Sequence, residues 1–206
     1  MKARDNPFST DRVLRVRYRL RGLAWDELLA KLAQMRYRAA IVGPDGTGKT
    51  TLLEDLEPRL AALGFTPKPL RLDADHRRFP PGFEREFFAQ LGRRDLILLD
   101  GAEQMSRWNW WHFRHRSRCG GGLLITSHRA GMLPTLLEAR TSPELLEELL
   151  EELLGQQAVA HQGHARQLFA RHGGNLRLAL REFYDVFAEF PAMSGHSCST
   201  PAISTQ

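Results

Sequence analysis

Gly43, Gly46, Gly48, Lys49 and Thr50 stand at the spacing G-x-x-x-x-G-K-[ST], inside the stretch Ile41 to Thr51 that reads IVGPDGTGKTT. The spacing has a chemical purpose. Glycines let the backbone curl until successive N–H groups face one anion. Pro44, Asp45 and Thr47 complete the loop, and Thr51 follows it. In such a loop the lysine reaches the β- and γ-phosphates, and the hydroxyl after it ligates Mg²⁺. The chemistry is that of a nucleoside triphosphate site, with ATP and Mg²⁺ as the expected cofactors.

A second set of residues lies downstream. Leu96 to Asp100 reads LILLD: four apolar residues of a buried strand, then a carboxylate. An Asp at the end of such a strand sits where ligands bind and can hold Mg²⁺ directly or through water. Glu103 has two readings: a general base that orients the attacking water, or a first-turn acid favoured by the helix dipole. Leu123 to Arg129 (LLITSHR) is a further buried strand with a polar end. Thr126, Ser127 and His128 would emerge beside Asp100 and sense the γ-phosphate or its water. In LDADHRR, residues 72 to 78, Asp73 or Asp75 could accept a hydroxyl proton while arginines hold an anionic substrate, as in a kinase for a small metabolite.

The elements that must position these groups are legible in outline. Ala39 to Val42 is a short strand before the loop. Thr51 onwards is a helix whose N-terminus points at the phosphates and which runs to about Leu63. Pro58 predicts a kink or break in it. Pro67 to Asp73 is a second strand, Phe83 to Leu91 a short helix, and a helix opens at Asp100 and continues to about Arg118. Its Trp108, Trp110, Trp111 and Phe113 are expected to pack on the sheet, with Arg107, Arg114, Arg116 and Arg118 at its C-terminal end; stacking on single-stranded nucleic acid is the alternative. Met132 to Ala139 holds a last strand. Upstream, Leu14, Val16, Tyr18 and Leu20 alternate with arginines, which predicts a strand with one basic face. That face is either a charged edge that discourages aggregation or a phosphate- or partner-binding stripe. Trp25 to Arg36 has helical spacing. The organisation is a basic segment 1–38 packed on the core, an α/β core over 39–142, a helical unit over 143–190 and a polar, disordered tail over 191–206.

GPDGTGKT, LILLD, LLITSHR and the final GGNLRLAL, in this order, resemble the landmarks of an AAA+ or closely related STAND-type ATPase. NPF near the N-terminus is similar to small bacterial helper ATPases of transposition and secretion systems. The resemblance covers residues 39–190. It implies a P-loop NTPase fold, a three-layer α/β sandwich with a mostly parallel sheet and a small C-terminal helical lid. It implies Walker A and Walker B motifs at Lys49 and Asp100, a sensor at Thr126 to His128, and a lid arginine, Arg177, reaching back to the γ-phosphate. That family usually carries Glu directly after the Walker B Asp. Here Gly101 stands in that place and Glu103 is the nearest acid, which predicts weak ATP hydrolysis.

Composition bounds the rest. The chain has 206 residues, 42% of them hydrophobic, enough for a core and against wholesale disorder. Its formal charge of +5 permits an acidic or nucleic-acid partner, reached through the basic N-terminus. Cys119 and Cys198 lack metal-ligand spacing, and no apolar run approaches the ~18 residues of a membrane span. A cytoplasmic protein is expected. Three functions follow: an ATP-driven switch for a protein or nucleoprotein partner or within a homo-oligomer, a small-metabolite kinase, or a non-hydrolysing nucleotide-binding module.

Overall fold

The computed structural model describes residues 6–189. The expected tail disorder, Cys198 and the end of the last helix at Phe190 lie outside them. Five strands form one parallel sheet in the order β2-β3-β4-β1-β5: β1 (Arg38–Val42), β2 (Thr66–Arg71), β3 (Asp95–Asp100), β4 (Gly122–Ser127) and β5 (Thr135–Glu138). Side chains alternate across a strand, so β1 sends Ala39 and Ile41 to one face and Ala40 and Val42 to the other. The first face packs α2 (Trp25–Gln34) and α3 (Lys49–Ala62) through Leu28, Leu32, Leu52, Leu56 and Leu60. The second packs α4 (Phe83–Ala89) and α5 (Arg107–Arg116) through Phe88 and Phe113. This is the expected three-layer α/β sandwich with a mostly parallel sheet. All strands being parallel, their carboxyl ends share one edge, and β4 sets Thr126 and Ser127 between the ends of β1 and β3.

A separate apolar cluster holds the helical C-terminal region. There α6 (Pro143–Leu154), α7 (Gln162–Arg171) and α8 (Leu176–Glu189) bury Leu146, Leu150, Ala165, Leu168, Ala179 and Phe183 together. Ser142 caps α6 by accepting from the Leu145 N–H, with Pro143 in the first turn.

The structure corrects five local expectations. Leu14 to Leu20 is not a strand. After the short α1 (Thr10–Val13) the chain runs as an irregular strap, and Tyr18 donates its N–H to the buried Asp55 carboxylate instead of to a strand. The strap also does not pack on the core alone: Phe8, Val13 and Val16 join the helical cluster, whereas Tyr18, Leu20 and Leu23 join the core. Pro58 does not break α3, which continues through it to Ala62 with Leu56 before it and Leu60 after it fully buried. The expected helix from Asp100 is two elements, a 3₁₀ turn (Ala102–Gln104) and α5, separated by extended Met105 and capped by Ser106, which accepts from the Asn109 N–H. On α5, Phe113 is buried and Trp110 half-buried, but Trp108 and Trp111 are 68% and 56% exposed, so the aromatics do not all pack on the sheet. An α-helix resting on a sheet offers it one stripe, and residues 108 and 111 lie off it.

Candidate functional site

The loop between β1 and α3 folds back on its own lysine. Lys49, buried at the first turn of α3, donates from Nζ to the carbonyls of Gly43 (2.8 Å) and Pro44 (2.7 Å). Thr47 closes the loop by donating to Pro44 O at 2.9 Å. Gly46 has φ +72°, a left-handed conformation suited to glycine, and a Cβ there would overlap the amide of Asn175. Burial lowers the Lys49 pKa from its ordinary value; the carboxylates of Asp45, Glu103 and Asp100 oppose that, and the charge of Arg177 adds to it. Those five charges therefore share one field.

Asp100 sits at the centre. Its Oδ2 accepts from the Thr50 hydroxyl at 2.9 Å and its Oδ1 from the Thr126 hydroxyl at 2.6 Å. The Thr126 oxygen in turn accepts from the Gly101 N–H at 2.8 Å. Thr50 and Asp100 offer hard oxygen donors on adjacent element ends, a set that suits Mg²⁺ completed by waters and phosphate oxygens. Among the described residues there is no group of three or more His, Cys, Asp or Glu able to hold a metal by itself. The residues thus fit a cation brought with a phosphate.

The fold is a three-layer P-loop α/β sandwich with a helical C-terminal region, and it has solved counterparts. The solved structures it resembles include RuvB of Thermotoga maritima, described as a Holliday junction branch migration motor, at 15% identity over 90% of this chain and 66% of that one, with a TM-score of 0.52. Two RuvB variants from the same organism align at TM-scores of 0.54 and 0.52, with 14% and 16% identity, over 84% and 81% of this chain and 65% and 61% of theirs. The chain thus spans less than two thirds of the length of these structures, and at such identity the likeness is one of fold. No protein-family model and no curated relative matches the sequence.

Against the AAA+ pattern, Gly101 now has a physical reason. It turns the chain out of β3 at φ +81°, and a Cβ on it would overlap the Leu72 carbonyl oxygen. A glutamate cannot follow Asp100 in this conformation without moving the chain at Leu72, just past the end of β2. The 3₁₀ turn brings Glu103 in instead. Its Oε1 lies 3.2 Å from His128 Nε2, which is also 2.9 Å from Asp45 Oδ1. Its Oε2 is buried without a hydrogen-bond partner, an arrangement that a mere helix-capping acid does not need.

The other expected residues divide. Thr126 and His128 join the cluster, but Ser127 does not: its hydroxyl donates to Arg129 O at 2.9 Å within its own turn, because consecutive strand residues face opposite sides. Only its carbonyl serves the loop, accepting from the Gly43 N–H. Arg177 is exposed on the first turn of α8 and reaches the loop through its charge. Thr51 lies half-buried on the same first turn of α3 as Lys49 and Thr50. Asp73 accepts from the N–H groups of Asp75 and His76 within its own exposed loop. The His76 N–H chiefly, then its ring, holds the Asp73 carboxyl below its usual range, which weakens it as a base.

Two neighbours of the loop were not foreseen. Asn175 caps α8 by accepting from the Leu178 N–H at 3.1 Å while its amide rests against Gly46. Tyr18 packs its ring over Gly48. The Gly-Gly-Asn sequence before a helical stripe was the available signal for the first; Tyr18 left none.

Three of the N-terminal arginines are engaged within the chain. Arg17 pairs with Asp55 at 2.8 Å, Arg19 with Glu148 and Glu152 at 2.9 and 2.7 Å, and Arg21 with Glu148 at 2.6 Å. This part of the basic stripe therefore faces the chain's own acids. Among the described residues no helix is long and apolar enough to cross a membrane.

Proposed function

We propose that this chain binds MgATP and uses it as a conformational switch, with slow hydrolysis, as a helper of a protein or nucleoprotein partner in the cytoplasm. The observation that carries the reading is the hydrogen-bonded set Thr50–Asp100–Thr126 beside Lys49 at one sheet edge. In this reading the backbone from Gly43 to Thr51 cradles the phosphates and Lys49 turns from its own carbonyls to the β- and γ-phosphates. Thr50 and Asp100 would hold Mg²⁺, whose contribution is to neutralise developing phosphate charge. Thr126 keeps Asp100 oriented. Glu103 takes a proton from the attacking water, and His128 holds Glu103 and Asp45 in place. Arg177 contributes positive charge from α8, which moves with the lid. The resemblance to STAND-type and helper ATPases supports a partner as the recipient of the movement. The self-occupied Asp73 loop argues against transfer to a small metabolite.

Nucleotide titration and phosphate release test this together. Lys49→Ala removes a charge-assisted phosphate interaction of roughly 1.5–3 kcal/mol, a loss of about 10- to 150-fold in affinity for MgATP. Glu103→Gln keeps shape and removes basicity, so turnover should fall by roughly 10²–10⁴-fold with affinity nearly unchanged. Unchanged affinity in the first variant overturns the site. Unchanged turnover in the second reduces Glu103 to a structural acid.

A further inference from the structure

We propose that the exposed face of α5 is a stacking platform for unpaired nucleotides of a single-stranded nucleic acid. It lies outside the nucleotide site and does not depend on how that site is read. The helix reads RWNWWHFRHR and carries no acidic residue. Phe113 anchors it to the sheet with Phe88, 5.1 Å away edge to face, and leaves the opposite side to solvent. There Trp108 and Trp111 stand with ring centroids 5.6 Å apart and planes 18° from parallel. Trp111 and His115 continue the row at 5.8 Å and 14°. Two tryptophans more than half exposed in one ordered row, with His112 edge-on to both, expose a large aromatic surface to water, which marks a binding face.

The cations beside the row say what covers it. Helical spacing sets Arg107 and Arg114 along one flank, and Arg118 follows in the turn beyond. All three are exposed, and among the described residues none pairs with a carboxylate. Arg38, held under them by the Ser117 hydroxyl and carbonyl at 2.6 and 3.1 Å, is depressed below its usual pKa by burial and then by the charges of Arg114 and Arg118. Among the described residues these guanidinium groups thus lack the carboxylate partners that Arg17, Arg19 and Arg21 of the N-terminal strap have. A single strand answers both features at once, with a π face on every base and an anion on every linkage. A duplex hides the base faces. A second copy of this chain brings a net charge of +5 against the same arginines.

The test is anisotropy of labelled oligo(dT), oligo(U) and a duplex of equal length with the full chain, without nucleotide, across a salt series. Single strands should bind more tightly than the duplex and quench the tryptophan emission. W108A/W111A should weaken single-strand binding by about 5-fold or more per stacked base, whereas W108F/W111F should keep most of it. R114A/R118A should lower the slope of log K against log salt by roughly 0.7 for each phosphate that is no longer neutralised. Circular dichroism checks that the variants fold; if the alanine pair does not, the phenylalanine and arginine variants decide. Equal binding of the duplex, binding indifferent to both tryptophans, or no binding at low salt would overturn the proposal. So would self-association in sedimentation that W108A/W111A abolishes, which would make the face a protein interface.

Discussion

The two halves of the candidate site are built differently. The core half is made of strand and helix ends: Lys49, Thr50, Asp100 and Thr126 are fixed by hydrogen bonds of 2.6–2.9 Å between groups rooted in the sheet. The lid half consists of one amide resting on Gly46 and one exposed arginine acting through its field. Groups on strands hold geometry; groups on a helix that follows two glycines can leave it. Under the proposed switch, the contrast would assign capture of nucleotide to the core and response to the helical unit.

Three substitutions sharpen that contrast. The largest effect is expected in the core. Gly101→Glu would restore the usual AAA+ carboxylate in sequence but forces a side chain into φ +81° and onto the Leu72 carbonyl. It should cost about 1–3 kcal/mol and lower the melting temperature by several degrees, without raising turnover. Faster phosphate release from a stable G101E protein would show that β2 yields easily. Asn175→Ala comes next. It removes the α8 cap, worth about 1 kcal/mol, and should leave nucleotide affinity near the parental value while abolishing any nucleotide-dependent change in hydrogen exchange of α8. An affinity loss as large as that of Lys49→Ala would place Asn175 in capture. The smallest effect belongs to Arg19→Ala. Its partners Glu148 and Glu152 are partly exposed, so thermal unfolding should shift by less than about 1 kcal/mol. A larger shift would show that these ion pairs, and not only the apolar contacts of Phe8, Val13 and Val16, hold the strap to the helical unit.

The sequence made the core half legible and the lid half much less so, for a physical reason. The phosphate loop, Asp100 and the end of β4 are local: each pattern contains the strand, the turn and the chemical group within a few residues. The parallel sheet followed, since runs such as LILLD suit strands buried on both faces. What failed was non-local. Alternation at Leu14 to Leu20 shows which residues seek burial, not whether a strand edge or two different cores will receive them. Helical spacing in α5 marked aromatic residues without revealing which stripe meets the sheet. Ser127 shared a motif with Thr126 but points the opposite way. Asn175 and Tyr18 reach the loop only through the tertiary fold, and the exclusion of a side chain at Gly101 depends on where β2 lies.

The strap that begins the described chain has a consequence for the order of folding. Phe8 stacks on Phe183 with ring centroids 5.3 Å apart, and the Asn6 side chain donates to Tyr184 O across 178 residues of sequence. During synthesis the ribosome releases the N-terminal end first. Every strand of the sheet can therefore emerge and pair before α8 exists to receive Phe8. Contacts of such long separation close late and carry a loop entropy that local ones do not. The nascent protein must hold an exposed aromatic residue until α8 leaves the tunnel, so the helical unit is completed by joining a segment made before the sheet to one made after it.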